Sequence, residues 1–206
     1  MDPANSSRVL LVEGSSDMHV VIHLLQRHGL EPNFEIADKQ GFPALRKSIY
    51  GEVNVSGRQA LGILADANDD VNGRWQAITG RLAKAGCAVP KTPARAGSVF
   101  PGPRDMRVGV WLMPDNQGSG ELEDFVHDLI PATDPVLPRA RRYIDGIPEG
   151  ERKFEKGKLT RAYVHAWLAT RKEPRPMGTA IRTGDLLHDA GAASSFVNWL
   201  LRLFGP

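Results

Sequence analysis

The sequence predicts an α/β fold in which a central, mostly parallel β-sheet is flanked by helices and followed by a helical C-terminal extension. Short apolar runs alternate with segments whose apolar residues recur at helical spacing, the pattern of strands joined by helical crossovers. The composition of the 206 residues, 41% hydrophobic and 24% charged, is that of a globular protein. We expect one domain over residues 1–206, with an α/β core at 8–130 and a basic, mainly helical extension at 131–206.

The first strand and helix are the clearest elements. The apolar run 8–12 contains β-branched residues and ends at Glu13-Gly14, which predicts a buried strand. Residues 15–17 offer helix-capping side chains, and a helix is expected from there to Gly29. Its apolar face is formed by Val20, Val21, Leu24 and Leu25.

The next elements repeat this alternation. Residues 34–37 alternate as a strand does, and a short helix is expected over 43–50. A second buried strand is predicted at 60–65, followed by a helix. One face of that helix carries Trp75, Ile78, Leu82 and Ala85.

A proline-rich stretch separates this part from the third strong strand. Residues 88–106 contain four prolines, which predicts a long loop with at most an edge strand near 98–100. The run 108–113 predicts the third buried strand, and a helix is expected from about Glu121 to Ile130.

The extension begins at Pro131 with a basic connection that is punctuated by prolines and contains Arg139, Arg141 and Arg142. A helix is expected over 158–170, then a proline-rich turn at 174–177, then a last amphipathic helix. The stripe of that last helix indicates core packing and consists of Phe196, Trp199, Leu200, Leu203 and Phe204.

Composition also excludes several classes of protein. No apolar run approaches the ~18 residues of a membrane span, and residues 1–5 do not resemble a signal peptide. The single Cys87 excludes an internal disulfide and a multi-cysteine zinc site. We therefore expect a cytoplasmic protein without a membrane partner.

Each of the three strong strands ends in carboxylates, and in open α/β sheets ligands bind at the carboxyl ends of the strands. Unpaired carboxylates that share a site repel one another, and a bound divalent cation removes that penalty. Oxygen ligands favour Mg²⁺ or Mn²⁺ over zinc. Each acidic group alone is explained better by helix capping than by metal binding, but three groups on successive strands favour a metal site. The acids are Glu13 and Asp17 after the first strand, Asp66, Asp69 and Asp70 after the second, and Asp115, Glu121 and Glu123 after the third.

These residues resemble a known family. The segment 12–17 is similar to the glutamate motif of TOPRIM domains, the catalytic fold of type IA and II topoisomerases, bacterial primases and OLD-family nucleases. Asp66-Ala67-Asn68 resembles the TOPRIM Asp-x-Asp motif. The patterns at 113–116 and 120–123, and later at 164–169 and 177–181, are similar to small standalone bacterial TOPRIM-like proteins of the OLD type. The resemblance spans residues 8–204.

The resemblance implies that Glu13, Asp17 and Asp66, with Asp115 or Glu123, hold one or two Mg²⁺ ions, and that Glu13 takes part in catalysis. Asn68 stands where the motif has a second aspartate. A neutral amide binds cations less strongly than a carboxylate, so this departure bears on the second metal, and Asp70 could supply the missing charge.

The resemblance also implies a lysine near the scissile phosphate. Lys158, Arg161 and His165 are spaced to share one helical face, with Lys158 the first choice and Arg161 the second. A solvated surface face explains the same spacing equally well. The formal charge is −4 over residues 1–138 and +6 over 139–206. The basic part would bind nucleic-acid phosphates through Arg139, Arg141, Arg142, Lys153 and Lys156.

With this resemblance, the sequence predicts a Mg²⁺-dependent TOPRIM phosphotransfer enzyme, specifically a nuclease acting on DNA or RNA. One cation would be held by Glu13, Asp66 and Asp70, and a second, if present, by Asp17, Asp115 and Glu123. Topoisomerases need a nucleophilic tyrosine from another domain, and primases usually carry a cysteine-rich zinc module, so neither fits this chain alone. The alternative is a non-catalytic TOPRIM-like module that binds nucleic acid, a nucleotide or a protein partner, and Asn68 favours it. A homodimer is compatible with both.

Overall fold

The computed structural model describes residues 6–205 and forms a three-layer α/β structure. Residues 1–5, for which no signal peptide is expected, and Pro206 lie outside the described residues. The strands are β1 Arg8–Val12, β2 Glu35–Asp38, β3 Ala60–Asp66, β4 Ser98–Pro101 and β5 Arg107–Met113. The helices are α1 Ser15–Arg27, α2 Phe42–Val53, α3 Val71–Lys84, α4 Leu122–His127, α5 Leu137–Asp145, α6 Leu159–Leu168, α7 Met177–Thr183 and α8 Gly191–Phe204.

The five strands form one sheet in the order β2-β1-β3-β5-β4. The pairs β1·β2, β1·β3 and β3·β5 are parallel, and only the edge strand β4 runs antiparallel. Asp66 at the end of β3 is in register with Met113 at the end of β5. The predicted mostly parallel sheet is confirmed. The carboxyl ends of the parallel strands β1, β2, β3 and β5 lie at one edge of the sheet.

Both faces of the sheet are covered by helices. Alternate residues of β1 point to different cores, Leu10 and Val12 to one and Val9 and Leu11 to the other. Helices α2 and α3 cover one face, whereas α1, α4, α6, α7 and α8 cover the opposite face. Strands buried on both sides need apolar residues at every position, which is why they appear in the sequence as continuous apolar runs.

The C-terminal helix is part of the main core. It packs on β3, β4 and β5, and its predicted stripe is buried. The ring of Trp111 on β5 lies 5.1 Å from that of Phe196 and 5.7 Å from that of Trp199, measured between centroids. The interpretation of the aromatic stripe as core packing is confirmed.

The prediction of helices was incomplete in the extension. Helix α5 lies within the segment predicted as a connection, and α7 follows the proline-rich turn directly. Pro138 occupies the first turn of α5, where a missing backbone N–H breaks no helical hydrogen bond. Helix α4 ends at His127, before the predicted Ile130.

Two expectations about the chain as a whole can be compared with the structure. Within residues 6–205, no helix has the length and apolar character needed to cross a membrane. Cys87 is a buried free thiol that packs in the core under α2 and α3.

Gly97, just before β4, provides a test of how α8 docks on the sheet. Its φ is +81°, and a Cβ there would lie 2.4 Å from Cδ1 of Trp199 and 2.8 Å from Cε3 of Trp111. We expect Gly97→Ala to lower the free energy of unfolding by about 2–4 kcal/mol, because it adds a left-handed backbone penalty to overpacking. Urea denaturation measures this change.

The matched control is Gly80→Ala on the exposed side of α3, where a Cβ meets nothing within 4 Å. It should raise stability by about 0.5–1 kcal/mol because alanine is the better helix former. Equal effects of the two substitutions would contradict this description of the α8 contact.

Candidate functional site

The candidate site lies where the strand order of the sheet reverses. From β1 the chain passes through α1 to β2 on one side, and from β3 it passes through α3 to β4 and then β5 on the other. Helices α1 and α3 lie on opposite faces of the sheet, so a crevice opens between the carboxyl ends of β1 and β3. This is the position at which open α/β sheets bind ligands.

Glu13 bridges the ends of these two strands. It follows β1, and its Oε1 accepts a hydrogen bond from the backbone N–H of Asp66 at 3.0 Å. Arg74 on α3 lies 3.9 Å from the same oxygen. Burial raises the pKa of Glu13 despite these favourable contacts. Glu13 is therefore held in place through one oxygen.

Asp17 serves as a helix cap and also faces other acids. Its Oδ2 accepts the backbone N–H of Gly14 at 3.0 Å in the first turn of α1. Burial, together with the negative charges of Glu13 and Glu123, raises the pKa of Asp17 to about 7. The sequence left helix capping and metal binding as alternative explanations for the acids at strand ends. In the structure Asp17 caps α1 and also lies near other carboxylates.

The pKa of Asp66 is raised further than that of Asp17. Its Oδ1 accepts the backbone N–H of Leu122 at 2.9 Å. Burial, followed by the negative charges of neighbouring carboxylates, raises the pKa of Asp66 to about 8. The acids that act on one another in this way form what we name the acidic cluster: Glu13, Asp17, Asp66, Glu121 and Glu123.

A backbone pairing brings the last two members to the cluster. Asn68 and Gly120 exchange two backbone hydrogen bonds of 2.7 Å each, which tie the loop after β3 to the segment before α4. Asn68 has φ +53° and Gly120 has φ +143°. Both Glu121 and Glu123 are buried as a result.

Cations from the extension contact the acidic cluster directly. Nζ of Lys158 lies 2.6 Å from Oε2 of Glu121 and 2.9 Å from Oδ1 of Asn68. Arg161 contacts Glu121 at 2.9 Å and Oε1 of Glu123 at 3.0 Å. Lys158 is the N-cap residue of α6 and Arg161 lies in its first turn.

His165 completes this contact one turn further along α6. Its Nε2 lies 3.5 Å from Oε1 of Glu123. Burial acts to raise the pKa of Glu123, but the His165 hydrogen bond and the charge of Arg161 outweigh it and hold that pKa below its usual range. The face predicted for Lys158, Arg161 and His165 is therefore turned towards carboxylates.

Two predicted metal ligands, Asp70 and Asp115, accept hydrogen bonds from nearby backbone N–H groups. Asp70 is the exposed N-cap of α3, and its Oδ1 accepts the N–H of Gly73 at 2.8 Å. Asp115 accepts the N–H groups of Gln117 and Gly118 in a tight turn. It lines a separate cavity of about 230 Å³ with Trp111. The structure therefore groups Glu13, Asp17 and Asp66 with Glu121 and Glu123, whereas Asp70 and Asp115 make local hydrogen bonds in their own loops.

Glu121 was not chosen as a site residue from the sequence, although it belongs to the third acidic group. Its side chain is only 4% exposed and meets both Lys158 and Arg161. The signal for it was the Gly120-Glu121-Leu122-Glu123 pattern ahead of a helix. Arg74, which contacts Glu13, was missed altogether because nothing in the sequence relates α3 to β1.

The five predicted phosphate contacts lie on exposed surface. Helix α5 buries Ala140 and Ile144 and leaves its arginines exposed. This helix packs against α6, which carries Arg161. The exposed side chains, which we name the basic surface, are Arg139, Arg141, Arg142, Lys153 and Lys156.

Comparison with known proteins gives one family. The family model described as Protein of unknown function (DUF3226) matches residues 7–205. The chain belongs to this family. Among curated proteins and solved structures, none matches the chain. The DUF3226 match spans both the acidic cluster and the basic surface, so it covers every candidate residue described above.

The present side-chain positions bear on metal binding by this DUF3226 protein. In the part of the chain that the structure describes, no group of three or more His, Cys, Asp and Glu side chains is arranged so that it could hold a metal ion. Glu121 and Glu123 are instead directed at Lys158 and Arg161.

The burial of Asp66 among other carboxylates predicts how the stability of the protein depends on pH. The pKa of Asp66 is about 8 in the folded protein and about 3.9 in the unfolded chain. Between these values the folded state binds more protons, so the free energy of unfolding falls as pH rises. Asp66→Asn cannot ionise and keeps its acceptor for Leu122, so we expect it to be more stable than the wild type at pH 8.5 by several kcal/mol, since each unit of pKa shift corresponds to about 1.4 kcal/mol.

This difference should grow between pH 4 and pH 8 and stay constant above, in thermal unfolding measured with EDTA. The control is Asp70→Asn, which removes the same charge from an exposed cap where asparagine serves equally well. It should leave the pH profile unchanged. Parallel profiles for Asp66→Asn and the wild type would show that neither burial nor neighbouring charge raises the pKa of Asp66.

Proposed function

We propose that this protein is a cytoplasmic, Mg²⁺-dependent nuclease of the TOPRIM type that hydrolyses phosphodiester bonds in nucleic acid. The observation that carries the proposal is the acidic cluster at the crevice between β1 and β3, with Lys158 and Arg161 in direct contact with it. Carboxylates for a metal and cations for a phosphate are the two sets of groups that phosphoryl transfer requires.

The chemistry of the donors fits a hard cation. The acidic cluster offers oxygen ligands alone, which suits Mg²⁺ or Mn²⁺. Burial first, and the negative charge of neighbouring carboxylates second, raise the pKa values of Asp17 and Asp66, and a bound cation would offset both effects. Glu13, Asp17 and Asp66 would hold the cation, joined by Glu121 or Glu123 after release from Lys158 or Arg161. When bound, the metal lowers the pKa of a water and neutralises charge on the phosphoryl group.

The side chains of the chain itself have distinct parts in this proposal. Oε1 of Glu13 is engaged by the N–H of Asp66, which leaves Oε2 for the cation or for the proton of the attacking water. Lys158 and Arg161 turn from Glu121 towards the phosphate and stabilise the negative charge that develops there. Asn68 positions Lys158 by accepting a hydrogen bond from its Nζ at 2.9 Å. A neutral amide can perform this role at the position where the TOPRIM motif has a second aspartate.

The basic surface would hold the nucleic-acid backbone. Its arginines and lysines are exposed and lie on α5 and in the segment that leads into α6. Contacts of this kind neutralise phosphates and position the strand without reading its sequence. DNA and RNA are both compatible with them.

One observation favours a second candidate, a non-catalytic module that binds nucleic acid, a nucleotide or a protein partner, including a second copy of this chain. Lys158 and Arg161 already neutralise Glu121 and Glu123, and the amide of Asn68 lies where a further carboxylate is expected. A cluster satisfied in this way can be stable without metal. Metal binding and cleavage separate the two candidates.

Metal titration with thermal unfolding tests the nuclease proposal. We expect Mg²⁺ or Mn²⁺ to raise the melting temperature, because a ligand that binds only the folded state stabilises it by about 2.7 kcal/mol at 100 times its Kd. Asp66→Ala should lose that shift. Glu13→Gln, which preserves the acceptor for the Asp66 N–H, should lower cleavage of a labelled oligonucleotide at least ~100-fold with binding unchanged.

Asp115→Asn is the control, because Asp115 serves a tight turn that asparagine also supports. It should cleave as the wild type does. Absence of a metal shift at millimolar Mn²⁺, with oligonucleotide binding intact, would instead establish the non-catalytic module.

The basic surface makes a separate prediction. Oligonucleotide affinity should fall steeply with salt, and each of Arg139→Ala and Arg142→Ala should reduce the slope of log K against log [salt] by about 1. The control is Arg46→Ala, an exposed arginine on α2 across the sheet. Fluorescence anisotropy measures the slopes, and equal slopes for all three variants would place the nucleic acid elsewhere.

A further inference from the structure

A second cavity adjoins the acidic cluster on the α3 side. It is a wide depression of about 410 Å³ that is open to solvent. Phe42, Asn68, Asp69 and Arg74 line it. Asn68 and Asp69 also line a smaller cavity of about 130 Å³ that contains Glu121 and Lys158. The two cavities therefore share a wall, and the larger one begins where the proposed phosphate site ends.

One wall of the larger cavity is formed by a guanidinium group that stacks on an aromatic ring. The guanidinium carbon of Arg74 lies 3.6 Å from the centroid of the Phe42 ring. The same guanidinium contacts Oε1 of Glu13 at 3.9 Å, so it is held both by a ring and by a carboxylate. Planar guanidinium groups and aromatic rings are the surfaces on which unpaired nucleobases stack.

The rim of this cavity carries an acceptor without a donor. Asp69 is exposed and accepts no hydrogen bond from any residue between 6 and 205, whereas its neighbour Asp70 caps α3. A carboxylate accepts hydrogen bonds from the Watson–Crick edge of an unpaired base. Guanine offers two adjacent donors on that edge, N1–H and the N2 amino group, whereas the other bases offer a single donor group.

We propose that this cavity binds an unpaired nucleobase, guanine most tightly, through stacking on the Arg74–Phe42 wall and hydrogen bonds to Asp69. In the nuclease, which this inference takes from the proposed function, the bound base belongs to the nucleotide beside the cleaved phosphodiester. The cavity thereby selects single-stranded substrate, because a paired base cannot present its Watson–Crick edge.

Nucleosides test the base site without metal, phosphate or cleavage. The full chain in EDTA is titrated with guanosine, adenosine, cytidine and uridine, with ribose as the sugar control, and ¹H–¹⁵N NMR follows the amides of Ala67, Gly73 and Ala77. These three residues line the cavity. We expect guanosine to bind most tightly and ribose to leave these signals unshifted.

Two variants separate the two contacts. Asp69→Asn should weaken guanosine about 10-fold, the effect of losing one bidentate contact, with little change for uridine. Phe42→Leu keeps an apolar side chain but removes the ring, and should weaken all four nucleosides about 10-fold. The control Asp105→Asn removes the same charge from an exposed turn just before β5, at the opposite end of the sheet, and should change nothing.

The outcomes distinguish this inference from the nuclease proposal. Equal affinity for the four nucleosides, or shifts with ribose alone, would overturn the base site whatever the cleavage result. Guanosine preference that Asp69→Asn abolishes would support the base site even in a protein that cleaves nothing. Cleavage without nucleoside binding would leave the nuclease proposal standing and remove the base site.

Discussion

The burial of five carboxylates at one edge of the sheet is the constraint that organises this molecule. Parallel strands bring Glu13 and Asp66 together, and the first turn of α1 adds Asp17. Burial and like charge raise the pKa values of Asp17 and Asp66 to about 7 and about 8, so the arrangement costs stability at neutral pH. A fold that tolerates this cost holds a cluster suited to binding positive charge.

The counter-charge comes from the other end of the chain. The acidic part of the sequence, residues 1–138, and the basic part, residues 139–206, meet at Glu121 and Glu123, where Lys158 and Arg161 bind them. These cations reach the cluster because α6 packs against α4. The near-neutral total charge of the protein therefore conceals two regions of opposite sign whose contact forms the candidate site.

The proposed phosphate site and the proposed base site are linked by a short stretch of chain after β3. Asn68 contacts Lys158, the next residue Asp69 lies on the rim of the larger cavity, and Asp70 begins α3. Arg74, one turn into α3, touches both Glu13 and Phe42. A nucleotide that spans the two sites would thus be contacted by elements from both faces of the sheet.

Continuous apolar runs and terminal carboxylates were enough to predict the parallel sheet, most of its helices, and the positions of Glu13, Asp17 and Asp66, because strand direction alone determines where strand ends meet. The sequence could not separate Glu121 from Asp70 and Asp115. That choice depends on how each loop turns after its strand: Asp70 caps a helix and Asp115 closes a turn, whereas the Asn68–Gly120 pairing directs Glu121 inward. Hydrogen bonds between residues far apart along the chain decide such turns, and only the tertiary structure contains them.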